Sequence, residues 1–383
     1  VSKFIPSVGV EEEYQLVDPE TGRLLPNCKE VMRQVGNDVT ADIQHELHLT
    51  QIEMASTVCN TLDEVQTRVK QVRGQLIEAA KKTGAALVAA GTNPLPLPEV
   101  ESFTPSRRYR VMSQRFQQIA RDMLIFGCHV HVSIEDPSDG LQIMNQARRW
   151  LPLLQALSAN SPFWDGEDTG YASYRRELWA QWPMAGPPPH FEDVDDYKSC
   201  VADLIQSGAI EDESYIYWDI RLPTKVPTIE FRSADVMLSV EETVGYTGLV
   251  RAIVMQATRD LREGKLNRPI RDNVLSYATW HAARYGVTKE LVDPLYCKNY
   301  TAKDLIAMLL DHVRPSLDLS GDGEHIKGYL NQILQSGTGA DRQRAVVGCN
   351  PELDDCDLSK VVQYAMMETA SRGRNAGHLI EAE

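Results

Sequence analysis

No two cysteines in the sequence are spaced C-x-x-C. The seven stand apart at Cys28, Cys59, Cys128, Cys200, Cys297, Cys349 and Cys356, an odd and scattered set that forms neither a disulfide framework nor a thiolate zinc motif. Reduced thiols in a cytoplasmic protein are the expectation. Long apolar runs are missing as well. Ala85 to Ala90 is six residues, against the ~18 that a membrane span requires. Val1 to Pro6 has no apolar segment of secretory-leader length. No membrane association is expected. Excess positive charge is also absent: Lys plus Arg number 39 against 54 Asp plus Glu, a net charge of −15. Broad nucleic-acid binding needs a cationic face, so no nucleic-acid partner is expected. None of the motifs G-x-x-x-x-G-K-[ST], G-x-G-x-x-G or G-x-S-x-G occurs. A nucleotide, if bound, has to be held by side chains and metal ions.

What is present is an ordinary globular composition, 43% hydrophobic and 24% charged over 383 residues. Residues 8–16 read as a strand, followed by the turn signal Asp18-Pro19-Glu20-Thr21-Gly22. Leu62, Val65, Val69, Val72, Leu76, Ile77 and Ala80 form an apolar stripe that predicts a helix over 61–83, with Thr61 and Glu64 as a capping box. A short buried strand is expected over 85–90 and a second helix over about 105–123, with Tyr109, Met112, Phe116, Ile119 and Met123 inward. Phe126 to Ile134 alternates as a strand, and 141–158 reads as a helix that Pro152 should break. The four-proline stretch 182–189 is expected as a loop, and 216–221 and 228–232 as strands. From Ser239 the chain reads mostly helical, over 240–263, 272–285, 301–313, 324–335 and 358–372. Strands confined to the first two thirds favour α+β with an antiparallel sheet over strict βαβ alternation.

Four groups of residues could carry chemistry. In Gly9-Val10-Glu11-Glu12-Glu13, Glu11 and Glu13 share one strand face, roughly 7 Å apart. They repel unless a cation lies between them; the alternative is a solvated strand face. In His129-Val130-His131 both imidazoles share the face opposite the apolar Cys128, Val130 and Val132, an arrangement that ligates metal or holds phosphate or is merely half exposed. In Trp218-Asp219-Ile220-Arg221 and Glu230-Phe231-Arg232, acid and guanidinium share a face. That suits a structural ion pair equally with a metal-binding carboxylate beside an anion-binding arginine, the combination phosphoryl transfer requires. Glu46 and Glu53 are seven apart, so they converge only if the segment bends. Carboxylate-rich ligation with imidazole suits Mg²⁺ or Mn²⁺ better than Zn²⁺.

Taken as an ordered set, Gly9–Tyr14, Glu46-x6-Glu53, Gly127-Cys128-His129-Val130-His131-Val132, Tyr171-Ala172-Ser173-Tyr174-Arg175, Trp218–Pro223 and Thr228–Arg232 resemble the carboxylate–amine ligase family, also called glutamate–cysteine ligase type 2. The match runs from residue 8 to about 260. The resemblance implies a fold like the glutamine synthetase catalytic domain, a curved antiparallel β-sheet funnel with helices on its outer face. It makes 1–383 one ligase catalytic domain, strand-rich over 1–235 and mostly helical over 236–383. It implies ATP and Mg²⁺ (or Mn²⁺), glutamate and an amine such as cysteine as substrates, and a homodimer at the family level. Residue by residue, Glu13, Glu46 and Glu53 match positions for one divalent ion, and Glu11, His129 and Glu230 those for a second. His131 matches a contact to the ATP phosphates, Arg232 the arginine beside the transferred phosphoryl group with Arg221 assisting, and Arg175 and Tyr171 positions near the substrate pocket. Glu46 would sit in a loop before the strand of Glu53.

The implied chemistry follows from charge: a carboxylate attacks the γ-phosphate to give an acyl phosphate, whose phosphate the amine displaces. Water must be kept out, and the segment 166–189 is the expected covering loop. The same ligase chemistry with another amine stays open. So do a metal-dependent hydrolase built on His129 and His131, and a non-catalytic nucleotide-binding relative.

Overall fold

The computed structural model describes residues 4–35, 41–98, 102–347 and 357–371. Cys349, Cys356, Val1 to Lys3 and residue 372 of the last expected helix lie outside the described residues. The main sheet has seven strands: β1 (Val8–Val17), β2 (Ala41–His45), β3 (Gln51–Ser56), β4 (Ala86–Val88), β5 (Gly127–Ser133), β6 (Ile220–Arg221) and β7 (Thr228–Asp235). Its order is β6-β7-β5-β1-β3-β2, with β4 also pairing β1, and every pairing is antiparallel. The helices that matter for the site are α1 (Leu62–Lys82), α2 (Arg107–Phe116), α3 (Tyr174–Trp179), α4 (Val240–Arg262) and α5 (Gly323–Ser336).

Period-two alternation decides which sheet face is which. Val8, Val10, Glu12, Tyr14 and Leu16 of β1 and Cys128, Val130 and Val132 of β5 are buried beneath α1 and α4. Each large apolar side chain buried there stabilises the fold by roughly 1.5–3 kcal/mol. α1 presents Leu62, Val65, Val69, Val72 and Leu76 to this core. Its Thr61 hydroxyl accepts the Glu64 N–H at 3.2 Å, but the Glu64 carboxylate accepts from Asn60 rather than from Thr61, so the capping box is half formed. α4 carries a complete box at Ser239 and Glu242. Gly245 lets α4 lie close on α5, since a Cβ there would be 2.2 Å from the Tyr329 Cβ.

The polar member of the core-facing row, Glu12, is fully buried and paired. Arg73 of α1 donates to it from Nε at 2.9 Å and Nη2 at 2.5 Å, and the Thr243 hydroxyl of α4 at 2.7 Å. The remaining Arg73 donors reach the carbonyls of Leu238 and Met237 at 2.8 and 3.0 Å. This pair ties the central strand to both outer helices.

Several expectations need correcting. The helix over 105–123 is broken at Gln117, whose φ of 50° ends α2 before a short turn at Gln118–Arg121. The strand over 216–221 is interrupted at Asp219, whose N–H donates to the Gly186 carbonyl instead of the sheet. Within 182–189, Ala185–Gly186 pairs in parallel with Tyr217–Trp218. Val194–Gln206 and Gly339–Val347 are helices without a counterpart in the sequence reading. The helical last third also holds the hairpin Leu291–Asp293 and Lys298–Tyr300. The break at Pro152 does occur: Gly140–Ala147 and Leu151–Leu157 flank a 3₁₀ turn, with Pro152 in the first turn of the second helix.

Candidate active site

The face of the sheet opposite the helices floors a cavity of about 810 Å³. Register assembles its chemistry. Glu13 lies directly opposite Glu53, Glu11 opposite His129, and Glu230 opposite both His131 and Arg221. Five strands thus present polar and charged groups on one face, because directly opposed residues share a face of a pleated sheet. Glu46 joins from the turn after β2, where its carboxylate accepts the Leu47 N–H at 2.8 Å. That turn is the bend the spacing of Glu46 and Glu53 demands.

Two clusters result, each with its ligand atoms within 4.8 Å of one another: Glu13, Glu46 and Glu53, and Glu11, His131 and Glu230. The first is the trio named from the resemblance. The second holds His131 where the resemblance named His129. His129 sits between the clusters, with Nδ1 2.9 Å from Glu11 and Nε2 3.8 Å from Glu13. His131 Nε2 is 3.2 Å from Glu11, and its Nδ1 is 3.1 Å from the Thr228 hydroxyl.

Charge state follows from these neighbours. Burial, then Glu13, raises the Glu46 carboxyl; burial, then Glu46, Glu11 and Glu13, pushes Glu53 well above the usual range. Burial would also raise Glu11, but hydrogen bonds to His129 and His131 outweigh it and hold it low. Burial acts the same way on Glu230, yet Arg232 and Arg221 bring it down to about 2. Burial and the Arg232 charge lower His129. Glu230 is gripped by both arginines: Arg221 approaches through Nε at 2.5 Å and Nη2 at 3.2 Å, and Arg232 through Nη1. Carboxylates crowded this tightly, with oxygen donors predominating, form a donor set that fits hard divalent cations.

The cavity takes in Glu11, Glu13, Glu46, Glu53, His129, His131, Arg175, Arg221, Glu230 and Arg232 of the expected residues. Tyr171 is not among its lining residues; it stands beside Trp280, which donates to its hydroxyl at 3.3 Å, and under Arg284. Arg175 lines the cavity but is only 1% exposed and spends its guanidinium on the carbonyls of Ser233 and Arg232, so it is buried in the cavity wall. Asp219, on the face read as polar, is buried beside Arg176 at 3.4 Å.

The segment expected to cover the site contributes little to the cavity lining. Residues 183–189 do not line the cavity, and 166–189 contributes only Arg175, Trp179 and Trp182. The loop between β6 and β7 supplies Leu222, Pro223, Thr224, Lys225 and Val226 to the rim. Sequence reasoning missed Arg108, Lys225 and the aromatic wall of Trp179, Trp182 and Tyr217. Tyr109 and Met112 were visible as inward-facing positions, which is a signal for burial and not for a cavity.

Comparison with known proteins assigns the family and the fold. The family model described as Glutamate-cysteine ligase family 2(GCS2) matches residues 7–363, and the chain belongs to that family. It is 59% identical over 370 residues to a protein of Rhodopirellula baltica named "Putative glutamate--cysteine ligase 2", covering 95% of this chain and 97% of that one. It is 39% identical over 351 residues to a "Putative glutamate--cysteine ligase 2-2" of Mycolicibacterium vanbaalenii, covering 92% and 96%. Among solved structures it is similar in fold to a glutamate–cysteine ligase of Francisella tularensis in complex with AMP, with a TM-score of 0.71 at 14% identity, covering 97% of this chain and 91% of that one. The chain is therefore a glutamate–cysteine ligase-like ligase of an ATP-dependent carboxylate–amine ligase family, with an α+β fold around a large antiparallel sheet. The hydrolase alternative gives way to this assignment.

Proposed function

We propose that this chain is a single catalytic domain that joins the side-chain carboxylate of glutamate to an amine, with cysteine as the default acceptor and ADP and phosphate as products. The observation that carries the reading is the pair of clusters, Glu13/Glu46/Glu53 and Glu11/His131/Glu230, on one sheet face beside Arg221 and Arg232. One main core drawing on residues from Val8 to Ile333 supports a single domain. A cytoplasmic location is part of the same proposal, and the five described cysteines, all free thiols, are in keeping with it.

Each cluster would hold one Mg²⁺, with His129 contributing from its place between them. Such ions, when bound, neutralise phosphate oxygens and so let two anions meet. The protein's own share is electrostatic and positional. Arg232 and Arg221 offer fixed guanidinium donors where charge grows on the transferred phosphoryl group. Glu230 holds both arginines in place while remaining ionised. The loop 222–226 and the aromatic wall restrict water around the acyl phosphate.

The test is ADP release by the purified chain with ATP, Mg²⁺ and glutamate, against a panel of amines and amino acids. Product that requires ATP, glutamate and cysteine together supports the reading. A different preferred amine replaces the acceptor and keeps the chemistry. Phosphate release that ignores glutamate and every amine overturns it.

A further inference from the structure

β7 is not regular. Phe231 lies opposite Val130, but the next paired residue is Ala234 opposite Cys128, so three residues of β7 advance against two of β5. Arg232 and Ser233 occupy this bulge, and such bulges re-aim side chains beside active sites. Their carbonyls accept from Arg175, at 3.4 Å from Nη2 to Arg232 and 3.2 Å from Nη1 to Ser233. The guanidinium fits only because position 127 is glycine: a Cβ there would lie 2.1 Å from Arg175 Nη2. The same Gly127 donates its N–H to Glu13 at 2.5 Å.

The base of Arg175 is fixed as well. Its N–H donates to the Ser161 hydroxyl at 3.0 Å, and the Ser161 and Ser173 hydroxyls donate to Asp235, the last residue of β7, at 2.7 and 2.8 Å. Arg175 and Arg232 both stand over the indole of Trp179, at 5.9 and 5.7 Å from its centroid.

We propose that Arg175 is a positioning residue: its planar fork satisfies the two bulge carbonyls and so aims the Arg232 guanidinium at the transferred phosphoryl group. This rests on the ligase reading above and goes beyond it, since it assigns Arg175 a role through Arg232 and not through contact with substrate or phosphate. A lysine offers one compact ammonium and cannot reproduce the fork.

The experiment is steady-state ADP release with ATP, Mg²⁺, glutamate and cysteine. Arg175→Lys should lower kcat by roughly 10–100-fold, as expected for a misplaced catalytic group, with KM for glutamate and ATP within about twofold. Added to Arg232→Lys it should cost no more than about a further twofold, because the two act as one unit. A raised KM for glutamate with kcat kept would make Arg175 a substrate contact and overturn the proposal, as would multiplying losses in the double variant. Gly127→Ala crowds the guanidinium from the other side and should reproduce the kcat loss if the Arg175 variants do not fold; a folded Gly127→Ala with full kcat refutes the idea. A wild-type chain without glutamate-dependent ADP release sinks the ligase reading instead. The crystal structure of Arg175→Lys then decides the positioning alone: Arg232 should leave Glu230, and an unmoved Arg232 overturns the inference.

Discussion

Replacing Arg73 with methionine would strand a carboxylate inside the protein. Glu12 is 0% exposed and Arg73 2% exposed, and two of the hydrogen bonds to Glu12 come from that guanidinium. Thr243 and Tyr14 still donate to Glu12 after the change, but neither carries charge. Removing one partner of a buried pair leaves an uncompensated ion and costs about 3–5 kcal/mol. That is about a fifth or more of the ~5–15 kcal/mol by which native proteins are stable. Equilibrium unfolding in urea should show a loss of this size for Arg73→Met. The double change Glu12→Leu with Arg73→Met should recover all but about 1–2 kcal/mol, since apolar groups of similar volume replace a buried pair at little net cost. The consequence reaches the site, because Glu11 and Glu13 flank Glu12 on the opposite face of β1. Stabilisation by Mg²⁺ should weaken in the single variant and return in the double one. A loss below about 1 kcal/mol for Arg73→Met, or a double variant no better than the single, would refute the claim that this pair anchors β1.

Glu53→Gln replaces a carboxyl that faces Glu13 across the strands and crowds Glu46; with EDTA the variant should unfold at the same or higher urea concentration than wild type, while Mg²⁺ no longer stabilises it and ADP release is lost. Retained Mg²⁺-dependent stabilisation would remove Glu53 from the metal set. Shortening the loop 223–226 should raise ATP hydrolysis without amide product, measured as phosphate against product, and unchanged coupling would exclude it as the cover. Burial pushes the Cys28 thiol up to about 12, so almost none of it is thiolate at pH 8. Iodoacetamide at pH 8 should therefore label exposed Cys297 and spare buried Cys28 in the native protein, and peptide mass mapping checks both.

Local periodicity was enough for part of this protein. Alternation in β1 and β5 placed Glu11, Glu13, His129 and His131 on the face opposite the apolar rows, because a strand offers only two faces. The 3.6-residue period found α1, and the geometry of proline found the break at Pro152. The resemblance assembled the acidic trio, with Glu46 in a turn. Glu12 was legible only as an exception to the apolar row; its partner lies sixty-one residues away on α1. Strands of two residues, such as β6, have no period to read, so the interruption at Asp219 stayed hidden. Trp179, Trp182 and Tyr217 have the composition of a core, and nothing local separates a core wall from a cavity wall.

The sequence by itself determined which groups each strand offers and on which face, together with the family, since these depend on spacing within a segment. Tertiary structure decided which groups meet. Strand order brings Glu230 beside His131 and Glu13 beside Glu53, segments joined by long stretches of chain, and that pairing is set by backbone hydrogen bonds and burial rather than local spacing. It also put Tyr171 outside the cavity and buried Arg175 in its wall, where a one-residue bulge in β7 turns two carbonyls toward the guanidinium.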